Sequence, residues 1–207
     1  MTSINQNHAS RALPHKTLLG FFFFLAFTAA AAAQSTTPGS ATLEPKCMPP
    51  IYSVSPVTNP APADRQLIMD LLHRYFWALD EGKPLGLDTL LLDGVIYELC
   101  DGREFQLKIT KNKQDLIVYL KEIQAERDKV VYKTRHMESN TLLHSVDIDT
   151  VQGKTALLVT VQFAALPMPV LDYTATLHTT FRRDGSLWKF SKMMLVVDGA
   201  VVKASAR

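Results

Sequence analysis

The changing periodicity of the chain predicts an α+β fold, with helices first and then a meander of long strands curled around a hollow. Three observations carry this. Ile68, Leu71, Leu72, Tyr75, Phe76 and Leu79 recur at helical spacing between Asp64 and Asp80. From Val130 onward the period changes to two. The composition, 47% hydrophobic and 20% charged over 207 residues, suits one globular domain with extras.

Residues 1–33 have the form of a secretory signal peptide. Arg11, His15 and Lys16 precede the apolar run from Thr17 to Phe27, and small residues end at Ala31-Ala32-Ala33, where cleavage is expected. The run is short for a membrane span. A periplasmic or secreted mature chain is then expected, with a retained N-terminal anchor as the alternative reading of the same run. Residues 34–60 are rich in proline, among them Pro38, Pro45, Pro49, Pro50, Pro56 and Pro60. They read as a linker or surface strap, with Ile51, Tyr52 and Val54 as its docking positions. The folded domain is expected over 61–198 and a tail over 199–207.

Within the domain, Asp64 is the expected cap of the first helix, and Gly82 sits where it must stop. Pro84 to Leu92 reads as a second short helix, followed by a turn at Asp93-Gly94. Val95 to Cys100 alternates as a strand, with Val95, Tyr97 and Leu99 on one face and Ile96, Glu98 and Cys100 on the other. Asp101-Gly102 turns the chain so that Glu104 to Ile109 pairs back. Thr110 to Asp128 forms a third helix with a stripe of Leu116, Ile117, Leu120 and Ile123. Four long strands are expected over Val131 to Ile148, Thr155 to Leu166, Val170 to Arg182 and Leu187 to Val197. Turns at Gln152-Gly153, Leu166 to Pro169 and Asp184-Gly185-Ser186 join them.

Removing residues 1–33 takes away Arg11 and Lys16 and no acid, so the formal charge falls from +2 to zero. A balanced chain with scattered bases lacks the footprint of a nucleic-acid binder. Cys47 and Cys100 show no metal-ligand spacing. They either pair as a disulfide in an oxidising compartment or stand as two separate thiols.

Several short motifs, taken in order, resemble the SnoaL-like domains of the nuclear transport factor 2-like superfamily. Arg74-Tyr75 with Asp80-x-Gly82 is similar to the end of their first helix, and Thr134-x-His136-x-x-x-Asn140 to one of their strands. Gly153-Lys154-Thr155-Ala156 is similar to their turn into the next strand. Asp172-Tyr173 and Phe181 to Trp188 are similar to their last hairpin. The resemblance covers about residues 61–198. It implies a cone of curved, mostly antiparallel sheet closed by about three N-terminal helices, a cystatin-like α+β roll with a deep pocket. The family includes polyketide cyclases, dehydratases, isomerases and binding proteins without chemistry. Followed along scytalone dehydratase, Asp80 and His136 match an acid and a catalytic histidine, while the second histidine falls near Ala164 or Ala165. Followed along ketosteroid isomerase, Tyr75 matches the helix tyrosine, the base carboxylate falls near Glu98, and the second acid falls near Leu177.

These residues define the candidate site. His136 is the candidate general acid or base, Asp80 its orienter, and Tyr75 a donor to a developing oxyanion. Glu98, Asn140, Tyr173 and Phe163 are candidate ligand contacts. Glu98 is a desolvated carboxylate, Asn140 shares the face of His136, and Tyr173 and Phe163 are lining. Leu166, Met168, Met193 and Met194 add a methionine-rich wall. Each has a plain alternative: His136 as a packed strand histidine, Asp80 as a helix end, Glu98 facing solvent. Trp77 is expected under a loop or the strap, His73 points away, and His144 and His178 are ordinary strand positions. No metal and no cofactor is implied. The expected partner is a small apolar molecule, held with or without chemistry, and the sheet face is a further candidate as a homodimer surface.

Overall fold

Pro62 opens the first helix, where its missing N–H is no loss, and α1 runs Pro62–Asp80. The structure is a computed structural model that describes residues 46–50 and 58–199. The signal peptide expected over 1–33 and the docking positions Ile51, Tyr52 and Val54 lie outside the described residues. The α1 stripe of Ile68, Leu71, Leu72, Tyr75 and Phe76 is buried. Glu81 caps the helix, and Gly82 at φ +65° turns the chain away, a conformation suited to glycine. Asp64 is not the cap. Its carboxylate accepts hydrogen bonds from Trp188 Nε1 and Arg183 Nη2, each at 2.9 Å.

The expected second helix is only a 3-10 turn, Pro84–Leu87. β1 (Leu91–Cys100) absorbs the expected turn at Asp93-Gly94, where its ladder shifts register between Leu91 and Ile96. β2 (Gln106–Thr110) pairs back on β1, and Thr110 opposite Tyr97 is still strand. α2 therefore starts later than expected, at Lys113–Arg127, with Asn112 as its cap accepting from the Asp115 amide at 2.8 Å. Among the described residues two α-helices result, not three.

The remaining strands are β3 (Val131–Ser145), β4 (Thr150–Phe163), β5 (Val170–Asp184) and β6 (Leu187–Val197). They complete a curved, unclosed six-stranded sheet in the order β2-β1-β6-β5-β4-β3. Only the β1–β6 pair is parallel. The turn expected at Gln152-Gly153 lies at 146–149 instead, and Gly153 sits inside β4. Crowding explains the glycine. A Cβ there would overlap Thr179 Oγ1 and stand 3.1 Å from the Phe181 ring and 3.2 Å from Leu143.

One sheet face carries the core. Val95, Tyr97, Leu157, Leu177, Phe181, Phe190 and Met193 pack with the α1 stripe and with Leu116, Ile117 and Leu120 of α2. Cys47, Cys100 and Met194 form a separate small cluster with Val196. Cys47 and Cys100 are disulfide-bonded, with Cα atoms 6.2 Å apart. The Cys47 amide donates to the Glu104 carbonyl at 2.7 Å, so this segment is fastened to the β1–β2 hairpin.

Two outcomes are expected from this architecture. Asp64→Ala strips the shared acceptor from Trp188 and Arg183, a loss of about 1–3 kcal/mol. Thermal unfolding should then shift down by about 3–8 °C, with Asp64→Asn losing less. An unchanged midpoint would refute the tie between α1 and the last hairpin. The second outcome concerns His178 on β5, which faces Lys154 and Met194 across the sheet. Burial, with the Lys154 charge, pushes its imidazole down from 6.5 to about 4. Between those values the unfolded chain binds a proton that the folded one does not, so stability falls as pH drops from about 6.5 to about 4. Unfolding midpoints measured across that window should flatten in His178→Gln.

Candidate functional site

Asp80 is the last residue of α1, where the helix dipole favours a cation and disfavours a carboxylate. β3 compensates it. Asp80 Oδ1 lies 2.6 Å from His136 Nδ1 and accepts from the Thr134 hydroxyl at 3.1 Å. Asp80 Oδ2 accepts from the His136 backbone amide at 3.0 Å. The two side chains are 6% and 5% exposed, so the pair is shielded from water. Burial alone would raise the Asp80 carboxyl. The hydrogen bonds and charge of His136, with the Thr134 hydroxyl, outweigh it and hold the group below the usual carboxylate range. An ionised carboxylate only accepts, so the shared proton sits on His136 Nδ1. In the neutral imidazole the lone pair is then on Nε2, which meets no hydrogen-bond partner among the described residues. Phe76 stacks on the ring, with centroids 5.6 Å apart and planes at 18°.

The same seam carries a second pair with the roles exchanged. His73, expected to point away, reaches β3 through Nε2, 2.5 Å from Glu138 Oε1. Strand alternation explains the set, because Thr134, His136 and Glu138 share one face of β3. Burial raises the Glu138 carboxyl against the opposing influence of His73. Trp77 is 57% exposed rather than covered, with the Arg135 guanidinium 5.8 Å from its ring centroid.

Tyr75 lies deeper. Its ring meets Phe76 and Phe190, each at 5.3 Å, and no hydrogen bond joins it to Asp80 or His136. It belongs to a set of four phenols drawn from four elements: Tyr75 of α1, Tyr97 of β1, Tyr119 of α2 and Tyr173 of β5. Burial pushes all four upward, and Tyr173 raises the other three further, Tyr119 to about 12. They stay neutral and able to donate. Sequence reasoning named Tyr75 and Tyr173 but not Tyr97 and Tyr119, whose rings lie 5.9 Å apart. The signal was present. Tyr97 sits between Val95 and Leu99 on the apolar strand face, and Tyr119 adjoins Leu116 and Leu120.

The other expected contacts are dispersed. Glu98 shares the strand face of Cys100, opposite Tyr97, and pairs with Lys192 at 3.1 Å. It converges with Cys47 and Cys100, but the disulfide occupies both sulfurs. Asn140 is exposed at φ +53°, where the β3 ladder shifts between Ser139 and Leu142. That shift breaks the alternation linking it to His136. Phe163 is half-buried at the end of β4, and Met168 is exposed in the following turn. Met193 is in the core, whereas Met194 lies beside the disulfide. A cleft of about 470 Å³ opens beside Asp80 and Thr134, with Lys83, Arg127, Asp128 and Lys133 among its walls.

Truncating Asp80 to alanine leaves a shielded imidazole and hydroxyl without their acceptor, a loss of about 3–5 kcal/mol at neutral pH. The Asp80 carboxyl is lowered in the fold, so this stability is present above the unfolded value and disappears as pH falls through the lower folded one. Urea denaturation of Asp80→Ala, His136→Ala and the double variant should be strongly non-additive, and additive losses would deny the coupling.

The sequence pattern of the SnoaL-like domain matches residues 61–194. No curated protein matches the chain. Three solved structures share its fold. A protein from Novosphingobium aromaticivorans assigned as a scytalone dehydratase is 15% identical, with a TM-score of 0.55 over 70% of this chain and 90% of its own. Hexachlorocyclohexane dehydrochlorinase LinA-type3 from Novosphingobium barchaimii is 18% identical, with a TM-score of 0.54 over 70% and 96%. A protein of unknown function with a cystatin-like fold from Nostoc punctiforme is 18% identical, with a TM-score of 0.54 over 68% and 96%. At such identities the structural likeness establishes the fold alone. With the family pattern spanning most of the chain, this protein belongs to the SnoaL-like domain family.

Proposed function

We propose that this protein is a cofactor-free acid–base enzyme acting on a small apolar hydroxy or keto compound, as a cyclase, isomerase or dehydratase. The observation that carries the reading is the 2.6 Å contact between Asp80 and His136 Nδ1, which leaves Nε2 as an available base. Shielded ion pairs are weak stabilisers, so a pair set at an unfavourable helix end points to chemistry. The enzymatic names among the similar structures support the same class.

In this reading Nε2 takes a proton from the carbon beside a carbonyl, and Asp80 stabilises the imidazolium that forms. A tyrosine from the interior set donates to the oxygen that gains charge. His136 then returns the proton to a neighbouring carbon, to a departing hydroxyl, or to the alkoxide left when the enolate carbon closes onto a second carbonyl, giving isomerisation, dehydration or cyclisation. Export accompanies the proposal. It rests on residues 1–33, and the Cys47–Cys100 disulfide supports it, since such bonds persist in oxidising compartments.

A second reading is a non-catalytic binding module. It is favoured by Ala164 and Ala165, which fall in the exposed turn after β4 and offer no second acid or base. Deuterium exchange separates the two. With 2-tetralone and a β-hydroxyketone in D₂O, the wild type should accelerate exchange of the α-protons. His136→Ala should lose a factor of about 10²–10⁴. Equal stabilisation of both proteins by the ketones, without any exchange, would favour the module.

A further inference from the structure

Arg127 is not used by the acid–base reading. It ends α2, and its side chain is only 19% exposed. It forms one wall of the cleft that contains Asp80 and Thr134. Its charge acts on Tyr97, Tyr119 and Tyr173. Its partners are few. Nη2 lies 3.4 Å from Asp172 Oδ2, a long single contact. A half-buried guanidinium carries five donors and normally satisfies a planar, two-pronged acceptor.

The other charges along the cleft are largely engaged. Asp80 is held by His136 and Thr134. Glu81 is paired with Lys83 at 2.6 Å, and Asp128 accepts the Gln124 amide at 2.6 Å. Lys133 stands exposed on the same wall without an ion pair among the described residues. Arg127 is left with the longest ion pair among the described residues, the 3.4 Å contact with Asp172.

We infer that Arg127 holds a carboxylate of the ligand in this cleft beside Asp80, so that the substrate class is a small apolar carboxylic acid lying with its ring towards His136. This rests on the acid–base reading for the place of the reactive carbon, but the carboxylate contact is a separate claim. Arg127 is here a specificity-determining residue. Its fork matches a carboxylate two-fold, whereas Lys133 adds only long-range attraction.

Benzoate and benzamide are suitable probes, equal in shape and differing in charge. Each is titrated into the protein at low ionic strength while NMR follows the His136 ring and the Arg127 Nε–H. Both compounds should shift His136, and benzoate should bind about tenfold or more tightly than benzamide and also shift Arg127. Arg127→Gln should remove the preference while benzamide still shifts His136, and Arg127→Lys should keep part of it. Asp172→Asn, which cuts only the tie to β5, should preserve the preference. Equal binding of the two probes at His136, a preference that survives Arg127→Gln, or one that Asp172→Asn abolishes equally would overturn the carboxylate claim and leave the acid–base reading standing. If neither probe shifts His136, both claims fail together.

Discussion

Asp80 accepts three hydrogen bonds from two residues of β3, and the geometry of the whole site depends on that junction. The last residue of a helix and the third strand of the chain are thereby brought to a fixed separation. The imidazole has one tautomer because the carboxylate is ionised and can only accept. The backbone amide of His136 is held by the same group, so the strand itself is positioned along with the ring. Helix α1 is anchored at its other end by a second carboxylate, Asp64, bound to Arg183 and Trp188 of the last hairpin. Between the two anchors lies the apolar stripe. Burial presses the helix onto the sheet without direction, and the two acids give it rotation and register.

This arrangement separates the polar chemistry from the apolar interior. Asp80 and His136 lie at a seam, whereas Tyr75, Tyr97 and Tyr119 belong to the buried core with Tyr173 packed against it. Desolvation acts on the two sets differently. The carboxyl is compensated by directed hydrogen bonds and stays ionised. The phenols gain nothing comparable and stay neutral. In the proposed acid–base reading these supply the complementary roles of a base and of neutral donors. Arg127 lines the cleft beside Asp80.

Much of this was legible from residue patterns. The α1 stripe, the stop at Gly82, the hairpin at Gly185 and the inner-face series Tyr173, Ala175, Leu177, Thr179 and Phe181 follow from period and turn chemistry. Where the pattern misled, a long-range contact had overridden a local preference. Asp64 looks like a cap, but Trp188 and Arg183 take its oxygens. Gly153 looks like a turn residue, but packing against Thr179 and Phe181 is what demands the missing side chain. Asn140 looks aligned with His136, but one ladder shift cancels the alternation. His73 looks idle, because nothing in the sequence says that Glu138 lies opposite it.

The sequence by itself determined the fold class and the order of the strands, and it singled out Asp80 and His136, since these depend on periodicity and short motifs. Only the tertiary structure decided which face of β1 turns inward, so that Tyr97 joins the interior and Glu98 is left with Lys192. Only it brought Arg127 to the cleft and Tyr119 to the phenol set. The physical reason is the same in each case. A strand or helix has a definite spacing along its own axis, but the side it presents is chosen by what packs against it.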